Sequence, residues 1–289
     1  MRLDLHVHTT FSDGDYTPQQ IAVMAAEAGL DGVAITDHDE CRGFGALEPR
    51  PGGVISGVPA GVCASGVVMI PGIEIAAHEA DSEVHVLGLG IDWRHKTMTE
   101  YSERANGRRR RRALGVVEKL RAAGYDFGIG DVERETQGGA IGRPHIALAL
   151  VKKGYADSVD DAFARFISRQ APFYVPLDKT GAAAAAGMIR EAGGRPVLAH
   201  PGLLKPGVFD ALAPTLAGAG FWGIEAYHPS HTDGQCRLFE SEARRLGLYV
   251  TAGSDFHGTL GQGAGLGGEK RGGAYLQRSF EELVKGLVR

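Results

Sequence analysis

The strongest constraint on this chain is a recurring unit. A short strand-like run ends in histidine or carboxylate side chains, and a helix-like run follows it. Residues 2–5 lead into His6-Val7-His8, with Asp13 five positions on. Thr17 then reads as a helix cap with Pro18 at the first helical position, opening an apolar period through Ile21, Met24 and Ala28 that Gly29 ends. The run 32–36 leads into Asp37-His38, the run 67–75 contains Glu74, and the run 84–91, read as pairing with it, contains His85. After a long interval, 194–199 ends at His200-Pro201, 222–226 precedes Tyr227-His228, and 248–252 runs into Ser254-Asp255-Phe256-His257. Helical runs at 208–217, 233–246 and 280–287 fill the gaps. This alternation predicts an α/β fold with a mostly parallel sheet or barrel, whose strand ends converge on one face.

The rhythm breaks over residues 96–180, which read as helices at 97–123, 144–153 and 158–167. The expected organisation is a barrel from 1–95 and 181–289, with 96–180 as a helical insertion capping the active site. The alanine run 182–186 reads as the start of the next helix. At 289 residues with 43% hydrophobic and 23% charged side chains, the chain has enough apolar material for a globular core. A net charge of −4 excludes polyanion binding through bulk charge. Cys41, Cys63 and Cys236 are too scattered for a disulfide framework or a thiolate zinc site, so a reducing, cytoplasmic setting is expected. No leader-like segment or membrane-length apolar run is seen, and no protein partner is inferred.

A lone histidine is more often a structural residue than a ligand. Here five separate strand ends deliver ligand-type groups: His6, His8, Asp13, His38, Glu74, His85, His200, Asp255 and His257. Alternation puts His6 and His8 on one face of their strand, and likewise Asp255 and His257. Nitrogen and oxygen donors without thiolate suit first-row divalent ions such as manganese, iron, cobalt or zinc. Nine groups exceed one ion's needs; with a bridging carboxylate they suit two or three.

The motifs HVHTTFSDG, ITDHD, PGIEI, HVLG, LAHP and GSDFH, spread over roughly the first and last 90 residues, resemble the PHP (polymerase and histidinol phosphatase) family of metal-dependent phosphoesterases. The resemblance implies a distorted (β/α)7, TIM-barrel-like fold and a di- or trinuclear centre, with manganese as the preferred ion. By motif position it assigns His6, His8, Glu74 and Asp255 to one ion, and Glu74, His85 and His200 to a second. Asp13, His38 and His257 fall to a third. The segments IGRPHIA (141–147) and YVP (174–176) resemble a branch that removes the 3'-phosphate from nucleoside 3',5'-bisphosphates. Relatives in that branch act as 5'-to-3' exonucleases on short RNA.

That chemistry needs a nucleophile, expected to be a hydroxide shared by two ions, and cations for the phosphates. Besides Asp255, the catalytic candidate is His228, as acid or phosphate donor, set against an exposed loop histidine. Arg134, Arg143 and His145 on the insertion, with Lys179, Lys205 and His228, are the candidate substrate contacts. The run Arg108–Arg112 must turn at least one guanidinium inward, since five successive helical positions span the circumference; a solvated face explains most of it. Phe11, Phe173 and Tyr174 are candidate base-stacking residues, with core packing the commoner fate. The Gly-x-Gly-x-x-Gly pattern at 263–268 neither directly follows a strand nor opens an evident helix, so it is read as a loop. The expected substrate is a small nucleotide or short RNA. Alternatives are another small phosphoester, a carbon–nitrogen amidohydrolase reaction, or a non-catalytic metal- or nucleotide-binding module.

Overall fold

The computed structural model describes residues 2–47, 66–79, 82–260, 264–268 and 273–287; Cys63 and Gly263 lie outside them. In chain order the elements are β1 (Leu3–Val7), α1 (Pro18–Glu27), β2 (Gly32–Ile35), β3 (Val68–Glu79) and β4 (Ser82–Leu89). The helices α2 (Lys96–Ala122), α3 (Ile129–Glu133), α4 (Arg143–Lys152) and α5 (Val159–Ala162) follow. The chain resumes alternation with β5 (Thr180–Gly181), α6 (Ala182–Glu191), β6 (Arg195–Leu198), α7 (Val208–Leu216) and β7 (Gly223–Tyr227). It ends with α8 (Asp233–Arg245), β8 (Tyr249–Ala252) and α9 (Gly273–Leu287).

Seven strands pair in the order β1-β2-β3-β4-β6-β7-β8, and short β5 pairs β3 off this path. A parallel bridge from Val7 to Phe256, with the His8 N–H donating to the Phe256 carbonyl at 3.0 Å, brings the ends of the sheet together. The result is a nearly closed barrel, as the alternation implied. Its distortion has one source: β4 runs antiparallel to both β3 and β6. The β3–β4 pair is a hairpin, without the crossover helix that a parallel pair requires. β3 runs four residues beyond the expected run, to Glu79, because β4 and β5 both pair with its end.

Local chemistry fixes the elements as read. Thr17 and Gln20 form a reciprocal capping box on α1, and Thr232 and Gln235 form another on α8. Leu3, Leu5, Ala34, Ile70, Leu87, Leu89 and Val197 form one buried apolar cluster, into which Phe280 and Leu283 of α9 pack. By alternation, Ile70 shares the face of Glu74, and Leu87 and Leu89 share that of His85. The polar end of the barrel therefore stands on a layer of aliphatic side chains, where a Leu→Ala cavity costs about 2–5 kcal/mol.

α2 belongs to two cores. Met98, Tyr101 and Ala105 pack with the barrel, whereas Ala113, Val116, Val117 and Leu120 pack with α4 and with Phe127, Phe166 and Ile167. Phe173 joins this second cluster and stacks on Phe166, so it is core. No helix among the described residues is long and apolar enough to cross a membrane. Cys41 and Cys236 are both buried.

Candidate metal centre

Glu74 sits at the middle of the site. β3 carries it fully buried, and five imidazoles surround its two oxygens. Oε1 is 3.3 Å from His6 Nε2, 2.8 Å from His85 Nδ1 and 3.0 Å from His200 Nε2; Oε2 is 3.4 Å from His8 Nε2 and 2.6 Å from His38 Nδ1. The β3–β4 register explains His85: it lies opposite Ala76, two residues past Glu74 and on the same face. Asp255 Oδ1 closes a second group, 3.1 Å from His8 Nε2 and 3.4 Å from His6 Nε2. Asp13 closes a third with His257 at 3.4 Å and His38 at 4.0 Å. All nine strand-end residues thus meet in one place.

These groups satisfy one another only in part. His6 Nε2, His8 Nε2, Asp13 Oδ1, His38 Nδ1, Glu74 Oε2, His200 Nδ1 and Asp255 Oδ1 are buried without a hydrogen-bond partner. Orphaned polar atoms are rare in protein interiors, and here seven belong to one cluster of side chains. Four sets have ligand atoms all within 4.8 Å of one another: His8, Asp13, His38 and His257; His6, His8 and Glu74; His6, His200 and Asp255; and His38, Glu74 and His85. Donor type, spacing and orphaned atoms all fit divalent ions.

The electrostatics divide the imidazoles, as expected of a carboxylate-rich cluster without its ions. Burial opposes the charge on Glu74, yet His38, His85 and His6 hold it well below the usual carboxylate range. Burial, then His257 and His38, push His8 down to about 3, so its ring is neutral, the form that ligates. His257 goes the other way: burial opposes it, but Asp13 and Asp255 lift it to about 10.

The backbone is strained where the site is built. His200, Asp255 and Asp39 adopt φ values of 24°, 54° and 54°, three of the four non-glycine residues with positive φ among those described. Such conformations cost about 1–3 kcal/mol each and persist only where the surroundings enforce them. Behind the ligands lie carboxylates that the sequence reading did not single out. Glu225, fully buried in β7, receives His6 Nδ1 at 3.1 Å and the His200 N–H at 2.7 Å. That leaves His6 Nε2 directed at Glu74 and Asp255, the usual arrangement of a ligating imidazole. Asp37 accepts the Thr9 N–H at 2.7 Å and the Ser12 hydroxyl at 2.6 Å, shaping the loop that carries Asp13. An acidic residue inside an otherwise apolar strand was the available signal for Glu225.

A cavity of about 300 Å³ opens beside the cluster. Asp13, His38, His85, Asp255 and His257 line it, as do His228, Arg143 and Lys179 among the sequence candidates. Arg109, Arg112, Glu83 and Phe163 line it too. The remaining candidates lie elsewhere. His145 is buried in the first turn of α4, where its Nδ1 accepts the Gly142 N–H at 2.9 Å as a helix cap. Arg134 is 70% exposed and pairs with Asp131. Lys205 is exposed and does not line the cavity, and Phe11 lines a separate cleft.

A nearly closed barrel with a buried histidine–carboxylate cluster at its strand ends defines a metal-dependent hydrolase of the phosphoesterase type. The PHP domain model matches residues 4–166, and the chain belongs to that family. Its relatives include a 5'-3' exoribonuclease, Rnm, from Escherichia coli, 33% identical over 88% of this chain and 84% of that protein. A phosphoribosyl 1,2-cyclic phosphate 1,2-diphosphodiesterase from Eggerthella lenta is 32% identical over 90% and 95%. A 3',5'-nucleoside bisphosphate phosphatase from Chromobacterium violaceum is 31% identical over 88% and 87%. Among solved structures, an amidohydrolase from Chromobacterium violaceum with bound sulfate and no metal superposes with a TM-score of 0.84 at 28% identity, covering 99% of this chain and 97% of that one. A metal-dependent phosphoesterase from Bifidobacterium adolescentis gives 0.83 at 29%, covering 98% and 96%.

Proposed function

We propose that this protein removes the 3'-phosphate from nucleoside 3',5'-bisphosphates, for example converting adenosine 3',5'-bisphosphate to AMP and phosphate. One observation carries the reading: a single small cavity has metal-ligand groups on one part of its wall and Arg143 and Lys179 on another. At about 300 Å³ it is at the small end of ligand pockets, which run roughly 300–1,000 Å³, and suits a mononucleotide. The names of the three relatives share phosphoester chemistry on a ribose unit.

Two or three divalent ions, manganese foremost, with zinc, iron or cobalt as alternatives, would be held by the nine clustered residues in the groups given above. When bound, such ions supply positive charge for the phosphoryl oxygens and make water nucleophilic at neutral pH. The protein's own contribution begins with Asp255, which divides its oxygens: Oδ1 faces His6 and His8, while Oδ2 lies 3.6 Å from His228 Nε2. The Ser230 N–H donates to His228 Nδ1 at 3.2 Å, which makes Nδ1 an acceptor and turns Nε2–H toward Asp255 and the cavity. Through that N–H, His228 is set to hydrogen-bond the ribose oxygen as negative charge builds on it. Arg143, over the Phe163 ring and 3.5 Å from Glu83, supplies a guanidinium for the substrate's other end. Phe163 offers a face for the base.

The test is phosphate release by the manganese-loaded protein from a panel of nucleoside 3',5'-bisphosphates, 5'-monophosphates and 5'-phosphorylated trinucleotides. The reading requires the bisphosphate to be the best substrate, and Arg143→Ala to cost more on it than on a monophosphate. The Escherichia coli relative motivates the second reading, 5'-to-3' hydrolysis of short RNA, which fastest turnover of the trinucleotide would establish instead. No turnover of any phosphoester would leave a binding module.

A further inference from the structure

His231 is buried, does not line the cavity, and has no part in the reaction described above. Both of its ring nitrogens are committed to backbone. The Gly202 N–H donates to Nε2 at 3.1 Å, so Nε2 carries no proton. The neutral ring's proton is therefore on Nδ1, which donates to the Ala226 carbonyl at 3.0 Å. Burial holds the ring's pKa below its ordinary value, so the ring is neutral at pH 7. The two backbone groups it takes are ones that regular structure leaves over. Pro201–Leu203 form a single tight helical turn directly after His200. Pro201 has no N–H, and Leu203 donates to the His200 carbonyl at 3.0 Å. The remaining N–H of the turn, that of Gly202, has no acceptor within it. In β7, pairing with β8 passes from Glu225–Thr251 to Tyr227–Ala252, which makes Ala226 the extra residue of a bulge. A bulge interrupts the ladder and re-aims the side chains beyond it, and here His228 beyond it reaches the cavity wall.

The geometry points to His231 as a positioning residue: one imidazole fastens the loop of His200, a candidate ligand, to the loop of His228. It thereby keeps the donor for the leaving ribose oxygen in register with the ion cluster. The His200 and His228 rings stand 5.5 Å apart across this joint. The contacts of His228 Nδ1 with Ser230 lie within one turn and do not set where that turn sits relative to the cluster. The His231 ring does, and its own N–H closes the same turn by donating to the His228 carbonyl at 3.0 Å. Packing locks the ring in place. Phe239 meets it edge-on with centroids 4.9 Å apart, and a Cβ on Gly202 would stand 2.5 Å from its Cδ2. The joint needs one donor and one acceptor on opposite edges of a single side chain. Leucine has neither, and glutamine has both on a more flexible stem.

This inference rests on the phosphoesterase reading and adds a residue to it. The full-length protein at saturating manganese is compared with its His231→Leu, His231→Gln, His228→Ala and doubly substituted His228→Ala, His231→Leu variants. The substrates are adenosine 3',5'-bisphosphate, whose leaving alkoxide needs stabilising, and p-nitrophenyl phosphate, whose leaving anion is already stable. His231→Leu should lower kcat on the bisphosphate about 100-fold, the cost of displacing a reacting group by about 1 Å, with KM within about threefold. On p-nitrophenyl phosphate it should lose less than about fivefold, and His231→Gln should recover about tenfold of the loss on the bisphosphate. In the His228→Ala background, His231→Leu should cost less than about twofold, because the two residues act as one unit. Equal losses on both substrates, or losses that add fully to those of His228→Ala, would overturn the assignment. A second measurement needs no turnover. Long-range proton–nitrogen spectra of the metal-free wild type should show His231 protonated on Nδ1 alone, and a proton on Nε2 would refute the joint. Where His231→Leu does not fold, that tautomer and unequal losses in His231→Gln carry the same test. Should the wild type hydrolyse neither ester, the proposed activity fails. The joint is then judged by the spectra: the His228 ring nitrogens should shift toward a mixture of tautomers in His231→Gln, and unmoved signals refute it.

Discussion

Replacing Glu225 by glutamine isolates the contribution of a fully buried residue that stands behind the cluster and does not line the cavity. In the native site both carboxylate oxygens are used, one by His6 Nδ1 and the other by the His200 N–H. Glutamine has one acceptor oxygen and one donor amide, so either His6 or His200 must face a donor with a donor. Burial opposes the charge on Glu225, but His6 holds its pKa at about 2 against 4.5 for the free group. That difference is linked to about 3 kcal/mol of stability, order of magnitude only. It is a depressed carboxylate, so the stability is present above pH 4.5 and is lost as pH falls toward 2. His6 is raised by the same contact and adds no second increment. Glu225→Gln should therefore unfold about 3 kcal/mol more easily near pH 7 and lose much of the native chain's acid sensitivity between pH 4.5 and 2. Because the carboxylate orients His6 and raises its basicity, manganese affinity should fall roughly 10–100-fold. Chelator-competition titration reads the affinity, and denaturant unfolding at two pH values reads the stability. Native affinity in a variant of native stability would refute the orienting role.

Three further perturbations follow from the same packing. Gly253→Ala would place a Cβ 2.2 Å from His6 Cβ and 2.6 Å from Glu225 Oε1, so a methyl group on a non-ligand should cost at least about tenfold in metal affinity; full metal content by elemental analysis would contradict this. Asp39→Asn leaves Arg109 buried without its counter-charge and should cost about 3–5 kcal/mol in denaturant unfolding, whereas Asp39→Leu with Arg109→Met should restore much of it. Chelating the metal should lower the melting temperature, since ions held at about 1,000 times their dissociation constant add roughly 4 kcal/mol; an unchanged melting curve with metal demonstrably removed would count against the centre.

The convergence of these side chains was legible because it is topological: once the alternation was read, His6, His38, Glu74, His200 and Asp255 had to share a face wherever their helices lay. Local signals likewise fixed α1, from Thr17-Pro18, and the start of α6, from the alanine run. What escaped depends on packing across the chain. Five consecutive arginines look alike until Asp39, 70 residues earlier, takes Arg109 and thereby sets the helix phase that turns Arg112 inward. His145 reads as a substrate contact beside Arg143, but the helix that starts there needs a cap, and the ring supplies it. Arg134 finds Asp131 three residues back, a pairing that its place near the GRPH motif did not suggest.

The net charge of −4 conceals a division of labour inside one cavity. The cluster brings three carboxylates, Asp13, Glu74 and Asp255, to the place where a phosphate is to react, and without ions that charge would repel it. Two divalent ions would bring four positive charges and overturn that balance, which would make binding at the reacting phosphate conditional on metal. The group of Arg112, Arg143 and Lys179 less Glu83 keeps its two positive charges whether or not ions are bound. Metal loading should therefore change the two ends of a bisphosphate unequally. Affinity for inorganic phosphate should rise steeply with added manganese, while affinity for a ligand held by its distal phosphate rises less. Were both to climb in proportion, these cations would be serving the reacting phosphate, and the division of labour within the cavity would be wrong.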